Sequence, residues 1–158
     1  MTTQSNTAAR ELTITRIINA PRELVFKVWT DAKHVQQWFA PKGFTVPVCQ
    51  WDAKKDHALY IDMKGPDGVI YPMGGKFLEI TEPSKIVFSS GALDPNKKPL
   101  FDIVTTITLS AEGNKTKLTM NAVVSNARPE AAPHLAGMEI GWNQTLDKLT
   151  DYINQQTN

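Results

Sequence analysis

Residues 135–153 read LAGMEIGWNQTLDKLTDYI, and in them Leu135, Met138, Trp142, Leu146, Leu149 and Ile153 recur every third or fourth position. That spacing lays one continuous apolar stripe along a helix. No proline interrupts the chain between Pro133 and about Gln155, so the sequence predicts a long closing helix. About 20 residues of helix span about 30 Å, the width of a small domain. A helix of that length with one apolar face needs a broad apolar surface to cover, and the preceding residues supply it. Segments 44–51, 58–64, 69–80, 86–90, 101–109 and 116–124 carry strand patterning. Turn chemistry separates them, as in Gly65-Pro66-Asp67-Gly68 and Glu112-Gly113-Asn114. Phe101, Ile103, Thr105, Ile107 and Leu109 alternate with Asp102, Val104, Thr106 and Thr108, and Leu118, Met120, Ala122 and Val124 repeat the pattern. The sheet therefore has one buried face and one wetter face. Gly74-Gly75 inside a strand reads as a bulge or bend, which strong curvature requires.

Working back toward the amino terminus, residues 12–18 form a β-branched strand that Asn19-Ala20-Pro21 stops. Pro21 suits the first position of a short helix with Leu24, Val25, Val28 and Trp29 on one face. Asp31 caps a second short helix carrying His34, Val35 and Trp38, which Pro41 and Gly43 end. The predicted class is α+β: a curved antiparallel sheet of six to seven strands wrapped around a long C-terminal helix, with two short helices after the first strand. A sheet curved that strongly meets its helix unevenly, and the expected result is a cavity between them. Residues 1–10 hold no large apolar side chain beyond Met1 and read as a flexible tail, leaving residues 11–158 as one domain.

Composition narrows the function classes. The chain has 158 residues, 17 Lys+Arg against 16 Asp+Glu, and a net charge of +1. No cationic run exceeds Lys54-Lys55 or Lys97-Lys98, so the electrostatic footprint of a nucleic-acid binder is missing. No apolar run approaches the roughly 20 residues of a membrane span. The lone Cys49 cannot close an internal disulfide and the first residues are polar, which points to the cytoplasm.

The segments in order resemble a known family. Ile18-Asn19-Ala20-Pro21, Val25-Phe26, Trp29-Thr30-Asp31 and Trp38-Phe39-Ala40-Pro41 are similar to its opening. Gly65-Pro66-Asp67-Gly68, Gly75 followed by Glu79-Ile80 and Pro83, and the closing Gly141-Trp142 with Leu146, Leu149 and Tyr152 are similar to its middle and end. Each motif is short; their order and spacing over residues 12–153 carry the resemblance. The family is the activator-of-heat-shock-protein-ATPase homology group, within the helix-grip superfamily that also holds START domains, polyketide cyclases and birch-pollen-allergen-like proteins. The resemblance implies the helix-grip fold. In one place the chain departs from the pattern: many relatives carry Arg-x-Gly-Gly before the third strand, where this sequence has Asp52-Ala53-Lys54-Lys55-Asp56-His57. The eukaryotic co-chaperones of the group carry a further amino-terminal domain, so stimulation of a chaperone ATPase does not follow from the resemblance.

Local motifs assign no chemistry. His34, His57 and His134 form no ligand pair, so no metal is expected. Cys49 sits in a predicted strand and reads as an inert thiol. No cofactor motif is present. His57, Tyr60 and Asp62 cluster near the third strand, with Tyr60 and Asp62 on one face and His57 on the other. Glu139 flanks the apolar stripe of the last helix, where a carboxylate beside a hydrophobic cavity would acquire a raised pKa. Glu139, Asp62 and Tyr71 are the candidate catalytic groups.

The stronger hint is aromatic. Trp38, Phe39, Phe77, Phe88, Phe101 and Trp142, with Met63, Met73, Met120 and Met138, come from separate segments that the fold brings between sheet and helix. Rigid rings and adaptable thioethers suit an apolar, ring-containing ligand, with Tyr71, Glu139 and Asn143 as polar anchors. Three functions follow as expectations: a binding module for a hydrophobic small molecule, a cyclase- or hydratase-like enzyme using a cavity carboxylate, or a module that engages a chaperone through its surface. The helix stripe fits a monomer covering its own sheet and also a homodimer seam.

Overall fold

A computed structural model describes residues 10–131 and 135–157. Pro133, His134 and most of the expected tail lie outside the described residues. The element order is β1 (Arg10–Ile18), α1 (Arg22–Thr30), α2 (Ala32–Trp38), β2 (Thr45–Trp51), β3 (Ala58–Lys64), β4 (Ile70–Thr81), β5 (Lys85–Ala92), β6 (Asp102–Glu112), β7 (Lys115–Ser125) and α3 (Met138–Thr157). The seven strands form one antiparallel sheet in the order β1-β7-β6-β5-β4-β3-β2. Six strands follow one another as neighbours, and β1 closes the far side by pairing with β7, Arg10 opposite Val124 through Ile18 opposite Thr116. This is the helix-grip arrangement.

Local chemistry sets the boundaries. Pro21 stands one residue before α1 as its N-cap, where its missing N–H costs nothing. The Asp31 carboxylate accepts from the Lys33 backbone N–H at 3.0 Å and starts α2. Arg10, expected in the tail, opens β1 because Val124 offers it a ladder partner. The closing helix is regular from Met138, and a turn at Gly137 separates it from the helical pair Leu135 and Ala136.

The double glycine is not the bulge. Register runs unbroken through Gly74 opposite Tyr60 and Gly75 opposite Leu59, and on the β5 side the irregularity falls between Phe77 and Glu79. A Cβ on Gly75 would lie 1.9 Å from the Ser89 carbonyl oxygen. What the glycine permits is close approach of β4 and β5. A second irregularity lies in edge strand β2, between Thr45 and Val48, around Pro47. In the turn over residues 52–57, Asp56 adopts φ 72°, a conformation glycine reaches without strain. His57 beside it pairs with Asp52 at 2.8 Å on the surface.

The core lies between the concave face and the helices. Ile107, Leu109, Leu118, Met120, Ala122 and Val124 are at most 1% exposed, as the alternation of β6 and β7 predicts. Leu146, Leu149 and Ile153 of α3 are fully buried in the same cluster. Each such side chain contributes about 1.5–3 kcal/mol on burial, so this half of the apolar stripe is satisfied within the chain. Trp51, which the sequence reading did not single out, is the hub of the aromatic packing. Its ring centroid lies 5.1 Å from Phe77, 5.3 Å from Phe88 and 5.2 Å from Phe39.

Candidate functional site

The first turns of α3 do not reach the sheet, and a cavity of about 370 Å³ opens beneath them. Its wall is built from four sources. The segment after α2 gives Phe39, Ala40, Pro41 and Phe44; β3 and β4 give Met63, Tyr71, Pro72 and Met73. Strands β5 and β6, with Phe101 just before β6, give the floor, Ser90, Gly91, Ala92, Phe101, Ile103 and Thr105. The roof is Gly137, Met138, Gly141, Trp142 and Thr145.

Period-two geometry explains which strand residues take part. Met63 stands opposite Tyr71 and Ile61 opposite Met73 across the β3–β4 ladder, so all four share the concave face. Ser90 pairs with Ile103, and Thr105 follows two residues along β6 on the same face. Rings define the sides: Phe39 meets Trp142 edge-on at 5.8 Å, and Phe44 lies 5.8 Å from Tyr71. Two polar ties hold the Phe44 segment against α3. The Lys42 backbone N–H donates to Gln144 Oε1 at 3.2 Å, and Lys148 Nζ donates to the Phe44 carbonyl at 3.2 Å. Burial lowers the Lys148 pKa from its ordinary value.

Seven of the sequence-predicted residues meet at this wall: Phe39, Met63, Tyr71, Met73, Phe101, Met138 and Trp142. The others lie elsewhere. Trp38, Phe77, Phe88 and Met120 are fully buried in the packed core, where Trp38 donates through Nε1 to the Val28 carbonyl at 3.2 Å. Asn143 faces β1, its Oδ1 accepting from Arg16 Nη2 at 2.9 Å, while Arg16 Nη1 reaches Asp147 at 2.7 Å. Glu139 is exposed to solvent. Asp62 is on the outer face of β3, accepting from the Tyr60 hydroxyl at 2.7 Å, and Lys97 Nζ donates to that same hydroxyl. Of the three candidate catalytic groups only Tyr71 lines the cavity, so neither carboxylate is placed to act as an acid there. No Asp, Glu, Lys, Arg or His side chain is on the wall among the described residues.

Cys49 is half-buried, its Sγ 3.8 Å from the Ala32 carbonyl oxygen, and burial pushes the thiol up to about 11. A thiol so rarely ionised is a poor nucleophile. No group of three or more His, Cys, Asp or Glu side chains fit to hold a metal occurs among the described residues, and none of their helices is long and apolar enough to cross a membrane.

Sequence reasoning missed Phe44, Pro41, Ser90, Ile103, Thr105 and the roof glycines. For Ser90 and Thr105 a signal was present: each is a hydroxyl residue in an otherwise apolar row, Ile86-Phe88-Ser90 and Ile103-Thr105-Ile107.

A curved sheet gripping a terminal helix over an apolar cavity defines a helix-grip protein, and comparison with known proteins places it further. The family model described as Activator of Hsp90 ATPase homolog 1-like protein matches residues 19–154, and the chain belongs to that family. No curated protein matches it. Among solved structures it is similar to a protein from Nitrosomonas europaea, 26% identical over 93% of this chain and 96% of that one, with a TM-score of 0.76. The AHSA1 protein of Silicibacter pomeroyi is 19% identical over 93% and 99% of the two chains, with a TM-score of 0.80. A protein from Chromobacterium violaceum is 24% identical over 89% and 94%, with a TM-score of 0.73.

Proposed function

We propose that the protein is a small cytoplasmic binding module that holds an uncharged, largely apolar, ring-containing small molecule between its sheet and the first turns of α3. The observation that carries this reading is the wall itself: a cavity of about 370 Å³ lined by rings, thioethers and aliphatic groups without a charged side chain among the described residues. Its volume falls in the range of small-molecule sites, about 300–1,000 Å³. A charged ligand would lose its hydration there with no counter-charge to offset the loss, at a cost of several kcal/mol. Flat rings suit the edge-on surfaces of Phe39 and Trp142 and the flexible Met63, Met73 and Met138. The family name speaks of an ATPase activator, and a chaperone partner for this chain rests on that name alone.

Two measurements test the reading. Native mass spectrometry of freshly purified protein should reveal a retained compound as mass above 17.6 kDa that is lost on denaturation. Titration with the neutral dye Nile red should give a saturable, blue-shifted emission at one dye per chain. A chain that neither retains a compound nor takes up Nile red or any neutral aromatic would refute it.

A further inference from the structure

Among the described residues, the floor of the cavity holds a fully buried side-chain oxygen with no hydrogen-bond partner. Thr105 is fully buried, lines the cavity, and its Oγ1 has no hydrogen-bond partner. The reason is its neighbourhood. Across the ladders Thr105 faces Phe88 on β5 and Ala122 on β7, and along its own strand the adjacent inward residues are Ile103 and Ile107. All four are apolar, so none of these nearest inward neighbours can pair with a hydroxyl. The other threonine of the wall differs: Thr145 Oγ1 donates to the Gly141 carbonyl within its own helix at 2.9 Å. Buried hydroxyls are ordinarily paired, and an orphan in a native fold calls for a partner. Ser90, 8% exposed, is the diagonal neighbour of Thr105 on the concave face, one strand over. Together they make a hydroxyl-bearing corner on an otherwise apolar floor.

We propose that the Thr105 hydroxyl, with Ser90 beside it, is a polar subsite that binds one neutral oxygen of the ligand, a hydroxyl or a carbonyl, at the deep end of the cavity. This inference rests on the ligand-binding reading above and sharpens it. The ligand class becomes a mono-oxygenated aromatic or polycyclic compound that enters oxygen first, its apolar body lying against Trp142 and Phe39. A pure hydrocarbon would leave the hydroxyl orphaned, and an ionised acid would find no counter-charge on the wall.

The test is a matched pair of probes of near-equal size, 2-naphthol and 2-methylnaphthalene, each measured by displacement of Nile red. Wild-type protein should prefer 2-naphthol about fivefold to tenfold, the value of one neutral hydrogen bond. Thr105→Val, nearly isosteric, should bind 2-methylnaphthalene as wild type does and lose the preference; its retained hydrocarbon binding doubles as the folding control. Thr105→Ser should keep the preference and Thr105→Ala should lose it, which preserves the test if the valine variant misfolds. Equal binding of the two probes by wild type, or a preference that survives in Thr105→Val, overturns the subsite while leaving the binding module intact. Failure of wild type to bind Nile red or either probe overturns the binding reading and the subsite together.

Discussion

Helix α3 meets the rest of the molecule in two different ways. From Leu146 to Ile153 it presses three fully buried aliphatic side chains into the core, whereas from Met138 to Thr145 it spans a gap and presents Met138, Gly141 and Trp142 to empty space. The two halves belong to one regular helix. What separates them is the surface beneath: β6 and β7 offer Ile107, Leu109, Leu118 and Met120 to one half, while the small residues Ser90, Gly91 and Ala92 lie under the other. The same apolar stripe is thus a structural seam at one end and a binding surface at the other.

The largest effect that would break this contrast is in the packed half. Leu149→Ala should lower stability by about 3 kcal/mol in chemical denaturation, as for a fully buried leucine in a filled core. Met138→Ala should cost under about 1 kcal/mol, since the side chain already borders a void. Equal losses would mean that the two halves are packed alike. Next in size, Trp142→Ala should weaken Nile red binding about tenfold, removing an aromatic side of the cavity. Leu149→Ala should leave affinity nearly unchanged while the chain is folded.

A smaller effect sharpens the comparison. Gly141 lies inside α3, and a Cβ there would meet only Pro41 Cγ at 3.7 Å, an ordinary contact. Gly141→Ala should therefore raise stability by about 0.5–1 kcal/mol through helix propensity. A loss instead would show that the roof is seated tightly on Pro41.

The smallest effect is pH-dependent and lies in the hairpin that leads into Phe101. Asp94 there accepts from Arg128 Nη2 at 2.8 Å and from the backbone N–H groups of Asn96 and Lys98. The Arg128 guanidinium first, then the Lys98 N–H, hold the Asp94 carboxyl below its ordinary value. A depressed carboxyl stabilises the fold above the unfolded-state pKa and loses that contribution as pH falls through the folded one. Asp94→Asn should thus lower the melting temperature at pH 7, with the difference from wild type shrinking below the ordinary aspartate range of about 3.9.

Much of the fold was legible in the residues. The period-two rows of β6 and β7, the Asp31 cap and the apolar stripe of α3 depend on neighbours a few positions away, and such signals survive in a single sequence. The site was legible only halfway. Alternation identifies Phe77, Phe88, Phe101 and Met120 alike as inward-facing, yet which of them border the cavity depends on where α3 lifts from the sheet, a property of packing between distant segments. Glu139 and Asn143 misled for a related reason. One residue to either side of the stripe turns a side chain outward, to solvent for Glu139 and to Arg16 for Asn143.

The irregular strand β2 has a consequence beyond the cavity. An open sheet ends in rims whose unpaired backbone groups invite a second chain to add a strand. At β2 that invitation is withdrawn three times over: Pro47 has no N–H to offer, the Gln36 side chain of α2 already donates to the Val46 carbonyl at 2.9 Å, and Asp52 is engaged by a bridge to Asp31. The helices that follow the first strand thus act as a guard rail on this rim, discouraging strand addition there while the concave face of the sheet stays open to the cavity.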